Sequence, residues 1–230
     1  MLPKMFYINL DKSLDRRLSF ESRSKAHGLD IDRFRAFSPE DLDSYCSDWR
    51  EAKVTPTEAA CLISHLELIR NHQEESILVF EDDTSFDPMQ FWGFSLGEFL
   101  NEIPKEWEVT QLAVFPPPKA ISVEKWGPLR FGCVSYLISP QRSQYLVNKG
   151  YKDGRWEISD LSGSHLRPIA EYVIYCSNVT YSIPMFSIED VDSTITVGNT
   201  HGFMGKEVST TWKLLGPSLL DLKGEIAKVK

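Results

Sequence analysis

The stretch Ser76-Ile77-Leu78-Val79-Phe80-Glu81-Asp82-Asp83 runs from an unbroken apolar segment straight into three carboxylates. A continuous apolar run with β-branched members and no polar alternation predicts a strand buried on both faces, as in the centre of an α/β sheet. The carboxylates then stand just past the strand's carboxyl end, where open α/β sheets take their ligands. An extended backbone through the cluster sends Glu81 and Asp83 to one side and Asp82 to the other. Three adjacent like charges repel one another and are costly to half-bury. A divalent cation relieves both problems, and hard oxygen ligands point to Mn²⁺ or Mg²⁺, which need only one or two protein carboxylates when phosphates supply the rest. The competing explanation is a solvated turn, with Asp83 or Thr84 capping the next element.

The residues before this strand predict a helix that feeds it. Thr55-Pro56-Thr57-Glu58 combines a capping threonine, a first-turn proline and a glutamate three residues on, which is a capping box. Ala59 to Asn71 continues it, with Leu62, Leu66 and Ile69 on one face and Cys61, His65 and Leu68 beside them. Earlier still, Met5 to Leu10 reads as the first strand. A helix from about Leu14 to His27 comes next, capped by Asp11 or Ser13 and stopped at Gly28. Residues 30–53 have poor periodicity and read as loop with one short element at most.

Downstream, Val109 to Phe115 and Cys133 to Ile138 read as strands. Ser139 and Pro140 open a helix that ends before Gly150. Tyr172 to Cys176 reads as a further strand, and Tyr181 to Gly205, rich in Pro, Ser, Thr, Gly and Asn, as loop. Leu219 to Val229 is an amphipathic stretch that reads as a terminal helix, able to pack on the domain or to meet a partner or membrane surface. Alternating strand and helix signals predict an α/β fold with a mostly parallel sheet flanked by helices. With no repeat or linker, residues 1–230 read as one domain whose part from about 180 is loop-rich.

The formal charge of −8 and pI near 5.2 exclude a broad nucleic-acid surface, so positive charge for an anionic ligand must be local. No signal-peptide pattern opens the sequence, and no run reaches the roughly 18 apolar residues of a membrane span. A soluble, cytoplasmic protein without a transmembrane segment is the expectation. Cys46, Cys61, Cys133 and Cys176 are far apart and form no CxxC pair, so they read as reduced, mostly buried thiols.

Three blocks, in this order and spacing, carry a resemblance: Phe6-Tyr7-Ile8-Asn9-Leu10-Asp11-Lys12-Ser13-Leu14-Asp15-Arg16-Arg17, then Cys61-Leu62-Ile63-Ser64-His65-Leu66, then Leu78-Val79-Phe80-Glu81-Asp82-Asp83. Together they resemble glycosyltransferase family 25, which includes bacterial lipooligosaccharide galactosyltransferases and the domains that galactosylate collagen hydroxylysine. Gly132 to Ser139 is similar to the family's later strand-to-helix block. The resemblance implies a GT-A-like, Rossmann-like fold and a nucleoside-diphosphate sugar donor, commonly UDP-galactose. It also implies a divalent metal and inversion at the anomeric carbon. It places the Asn9-Leu10-Asp11 turn and Arg16 at the nucleotide, and matches Glu81 and Asp83 to the metal-binding acidic motif. Thr57, Ala59 and Ala60 depart from the family, which has Gly, Ile or Val, and Gly at those places.

Other residues have both functional and ordinary explanations. Arg16 near a helix start suits a phosphate or ribose, or is solvated helix charge. His65 and Ser64 either contact the donor or, for the histidine, sit hydrogen-bonded in the core. Asp82 completes the acidic cluster on the substrate side. Inverting transfer needs a base for the acceptor hydroxyl. Asp160, after Trp156-Glu157-Ile158-Ser159, is the candidate, with Trp156 as a sugar-stacking face; Glu157 is its alternative, and a plain turn role competes. His201 is a candidate late metal ligand, and Lys206 reads as a surface lysine or a diphosphate contact. Glu58 is fully explained by the capping box.

The expected partners are therefore a UDP-sugar donor and a glycan or hydroxylated acceptor, with no nucleic acid; peripheral membrane contact is compatible. Two other classes fit less of the sequence. One is a Mg²⁺-dependent phosphotransferase or phosphatase, for which Glu81 stands where a nucleophilic aspartate belongs. The other is a non-catalytic glycosyltransferase-like binding module.

Overall fold

The computed structural model describes residues 2–114, 122–161, 166–189 and 219–229. Its strands are β1 (Lys4–Asn9), β2 (Asp32–Arg35), β3 (Ile77–Glu81), β4 (Thr84–Ser85), β5 (Val109–Ala113), β6 (Glu124–Lys125), β7 (Ser135–Ile138), β8 (Tyr151–Lys152), β9 (Arg155–Trp156) and β10 (Thr180–Ile188). Its helices are α1 (Leu14–Ala26), α2 (Leu42–Tyr45), α3 (Pro56–Asn71), α4 (Leu96–Glu102), α5 (Pro140–Gly150), α6 (Ala170–Tyr175) and α7 (Leu219–Lys228).

The main sheet has the order β2-β1-β3-β7-β5-β10-β4, with β6 paired to β10. Strands β2, β1 and β3 run parallel, as do β5 and β10, while β7 lies antiparallel between β3 and β5. The expected α/β class with a mostly parallel sheet is therefore observed.

Strand β3 is buried from Ile77 to Phe80, as its unbroken apolar run requires. Side-chain alternation divides the core in two. Phe6, Ile8, Ile77 and Val79 join Leu62, Leu66, Leu146 and Val173 from α3, α5 and α6 on one face. Met5, Tyr7, Leu78 and Phe80 join Phe20, Phe99, Leu222 and Ile226 from α1, α4 and α7 on the other. Leu62 and Leu66 are wholly buried, each worth about 2 kcal/mol of apolar burial. Helix α3 starts with the capping box: Thr55 Oγ1 accepts from the Glu58 amide, and Glu58 accepts from the Thr55 amide. Gly28, at φ +69°, ends α1 with its amide and that of Leu29 bonded back to Lys25 and Ser24 carbonyls.

Three segments differ from the sequence expectation. Residues 30–53 hold β2, a 3-10 turn and α2, because Phe34 and Leu42 pack on the core while Arg33 and Arg35 face polar partners. Tyr172 to Cys176 is not a strand: Ala170, Val173 and Ile174 are buried at helical spacing, and the segment is α6. Thr180 to Ile188 is not loop but β10, a nine-residue strand buried along nearly its whole length. Pro184 argued against a strand there, yet it falls in a register shift between Ser182 and Phe186, the kind of irregularity that tolerates proline in a sheet. Helix α7, which the sequence alone does not place, packs Leu222 and Ile226 into the second core and pairs Lys223 with Glu102. No helix among the described residues is long and apolar enough to cross a membrane.

Candidate functional site

Strands β1 and β3 end side by side, with Ile8 opposite Glu81, and this brings the Asn9 turn to the carboxylates. Asp82 is 8% exposed and doubly held. Asn9 Nδ2 donates to Asp82 Oδ2 at 2.6 Å, and Arg16 Nε donates to Oδ1 at 2.8 Å, joined by Arg16 Nη2 on the same oxygen. Arg16 Nη2 also reaches Asp83 Oδ2 at 3.1 Å. Asn9 is fixed in turn by the Ser13 carbonyl and by Arg33 Nε, which donates to its Oδ1. Burial works against the charge on Arg16, but Asp83 and Asp82 more than offset it and hold the guanidinium protonated.

Asp83 is left partly satisfied. Its Oδ1 is buried with no hydrogen-bond partner among the described residues. Burial first, and the Glu81 charge next, push its carboxyl up to about 7, with Arg16 pulling the other way. Glu81 Oε1 meets His65 Nε2 at 3.2 Å, and His65 Nδ1 meets the Tyr136 hydroxyl at 2.9 Å. His65 is therefore a buried histidine that holds Glu81 rather than an idle core residue.

The three carboxylates, Asn9, Arg16 and His65 line a cavity of about 770 Å³, the size of a nucleotide-scale ligand site. Of the residues expected from sequence, Asn9, Leu10, Arg16, Ser64, His65, Glu81, Asp82 and Asp83 all border it. Ser64 has its hydroxyl engaged, accepting from the Phe37 amide and donating to the Ala60 carbonyl. Lys12 joins Arg16 as local positive charge on the wall.

Three expectations fail on the geometry. Asp11 is not on the cavity wall; it is exposed and paired with Arg33 and Arg35, because the turn directs it along the surface of β2. Trp156 offers no face to a sugar: its ring is 0% exposed and its Nε1 donates to Glu67 at 2.8 Å. Asp160 is exposed outside the cavity, in a turn whose preceding amides, Ile158 and Ser159, are bound by Asp48. His201 and Lys206 lie outside the described residues.

Two of the wall residues that sequence reasoning misses bear on the chemistry. Glu171 escapes because its segment reads as the approach to a strand; on α6 it borders the cavity, and burial, then Glu81, raise its carboxyl above the ordinary range. Cys61 reads as a plain thiol, although its spacing from His65 is the available signal. Its Sγ, a His65 ring nitrogen and a Glu81 oxygen lie within 4.8 Å of one another. Burial, then Glu81 and Glu171, hold the Cys61 thiol well above its usual range.

The profile of glycosyltransferase family 25 (LPS biosynthesis protein) matches residues 2–153, two thirds of the chain. The chain belongs to glycosyltransferase family 25. The match covers the Asn9 turn, α3 and the Glu81-Asp82-Asp83 cluster, whereas Glu171 on the same wall lies beyond it. Curated protein sequences yield no match. Among solved structures, the chain is similar to a glycosyltransferase involved in the glycosylation of the major capsid of PBCV-1, at 10% identity and a TM-score of 0.43, covering 79% of this chain and 83% of that one. It is also similar to A197 from STIV, at 8% identity and a TM-score of 0.39, covering 87% and 100%. As a family 25 protein, this chain is a glycosyltransferase.

Proposed function

We propose that this family 25 transferase moves a hexose, galactose in the first instance, from a UDP-sugar to a hydroxyl of a glycan or a hydroxylated side chain. Transfer proceeds with inversion and needs Mn²⁺ or Mg²⁺. The observation that carries the reading is the Asp83 Oδ1, unpartnered among the described residues, beside Glu81 in a cavity that Arg16 and Lys12 also border. A buried carboxylate oxygen without a partner is costly in isolation. It suits a cation's oxygen shell, so Glu81 and Asp83 are the residues that would hold the ion. Bound there, the ion would supply positive charge to the departing diphosphate.

The chain's own residues do the remaining work. Asn9 and Arg16 fix Asp82, and thereby the direction in which the neighbouring carboxylates point. Lys12 and Arg16 supply local positive charge on the cavity wall of a protein whose net charge is −8. With Asp160 outside the cavity, Glu171 takes the role of base. The acceptor oxygen bonds to the anomeric carbon, the bond from that carbon to the diphosphate oxygen breaks with its electron pair on the diphosphate, and Glu171 takes the hydroxyl proton. Burial, and then the Glu81 charge, raise its carboxyl above the ordinary range, which makes its ionised form a stronger base.

A phosphotransferase reading needs a nucleophile at residue 81, and that carboxylate is engaged by His65. The test is a donor-hydrolysis and transfer assay with UDP-galactose and UDP-glucose in Mn²⁺, compared with release of phosphate from simple esters. Sugar release from a UDP-sugar supports the proposal; phosphate release alone overturns it.

A further inference from the structure

Cys61 and His65 stand one turn apart on α3, so their side chains leave the helix on the same side. Glu81 reaches them from the end of β3, and the thiol sulfur, a ring nitrogen and a carboxylate oxygen lie within 4.8 Å of one another. The Tyr136 hydroxyl takes His65 Nδ1 at 2.9 Å, and Nε2 is the atom turned to Glu81, at 3.2 Å. Tyr136 is wholly buried and anchored on β7, so the ring is oriented by a rigid element.

We propose that Cys61, His65 and Glu81 form a seat for one divalent transition-metal ion of the zinc class, with its remaining position open to the cavity. Glu81 is common to this seat and to the oxygen-lined site at Asp83, but the other two ligands, a thiolate and an imidazole, differ in chemistry from the Asp83 carboxylate. Thiolate with imidazole selects Zn²⁺ or Co²⁺, whereas Mg²⁺ and Mn²⁺ prefer oxygen donors. Bonds of about 2.0–2.3 Å in a tetrahedral shell set ligand atoms roughly 3.3–3.8 Å apart. The His65–Glu81 pair, at 3.2 Å, lies just under that spacing, and the 4.8 Å limit on the trio leaves about 1 Å of side-chain adjustment for the sulfur. A histidine whose second nitrogen is held by a hydrogen bond is the usual arrangement behind a ligating imidazole. Thiolate, carboxylate and neutral imidazole together balance a doubly charged ion, and the thiol proton passes to the buffer on binding. All three residues border the cavity, so the fourth position faces a ligand, as in zinc sites with three protein ligands. Nothing in this assignment depends on the chain's being a UDP-sugar transferase.

Cobalt is the probe that tests it. The full chain is stripped with chelator and titrated with Co²⁺. The expected result is one equivalent bound with a thiolate-to-cobalt charge-transfer band and the visible bands of tetrahedral cobalt, both bleached by Zn²⁺. Cys61→Ser removes the charge-transfer band and weakens Co²⁺ binding about tenfold or more. Asp83→Asn keeps the band, which separates this seat from the oxygen-lined one. Absence of a thiolate band in the wild type, or a band that survives Cys61→Ser, overturns the proposal and leaves a plain His65–Glu81 hydrogen bond. Should Cys61→Ser fail to fold, alkylation of the wild type decides instead: Zn²⁺ slows iodoacetamide modification of Cys61 and leaves Cys176 unchanged, and equal rates for Cys61 with and without Zn²⁺ overturn it.

Discussion

Arg16 and Asp82, 66 residues apart, are locked together by the guanidinium Nε and Nη2 on one carboxylate oxygen. Asn9 holds the other oxygen at 2.6 Å. The middle carboxylate of the acidic cluster is thus consumed by the protein, and it ties α1 and the end of β1 to the end of β3. Its two neighbours are left to face the cavity.

Removing Arg16 strips a buried carboxylate of its only ionic partner among the described residues. Arg16→Ala is expected to lower unfolding free energy by about 3 kcal/mol, read from urea denaturation. Arg16→Lys should recover less than half of that loss, because an ammonium cannot reproduce the contact that reaches both Asp82 and Asp83. Full recovery by lysine would mean that charge alone matters at this position.

Asp83 makes metal-free stability depend on pH. Its folded carboxyl is raised above its unfolded value, to about 7, so its contribution to stability is fully present below pH 4 and is lost as pH rises to 7. In chelator at pH 8, Asp83→Asn is therefore expected to be more stable than wild type by about 2 kcal/mol, and at pH 4 the gain should vanish. Thermal unfolding at the two pH values checks it. An equal effect at both would place the cause elsewhere.

Trp156 belongs to the core and not to the acceptor site. Trp156→Phe leaves Glu67 without its indole donor and is expected to cost about 2 kcal/mol in stability. Donor and acceptor KM should stay within twofold of wild type. A selective rise in acceptor KM in a folded variant would restore the stacking role.

The two candidate bases are distinguished by kinetics. Glu171→Gln should reduce kcat of transfer by about a hundredfold or more with donor affinity nearly unchanged. Asp160→Asn, in its exposed turn, should leave kcat unaltered. The opposite pattern would return the base to Asp160.

Sequence legibility tracks local chemistry. The apolar run before Glu81, the Thr55 capping box and Gly28 each act within a few residues, and each element stands as expected. The segments that sequence misassigns are those that tertiary packing decides. In α6 only six residues reveal a helical period, and in β10 a proline is accommodated by a register shift that no local pattern announces. Placement on the cavity wall is legible where a motif fixes it, as at Asn9, Arg16, His65 and Glu81. It is not legible where approach through space fixes it: Glu171 arrives on a misassigned element, and the burial of Trp156 depends on Glu67, 89 residues away.

The central claim is a nucleotide-sugar site built on the acidic end of β3. Calorimetric titration of UDP and UDP-galactose into the folded chain with Mn²⁺, for wild type and Asp83→Ala, tests it most directly. Metal-dependent binding that Asp83→Ala abolishes is the predicted result. Absence of binding to either nucleotide by the wild type, or binding that is indifferent to both Mn²⁺ and Asp83, would contradict it.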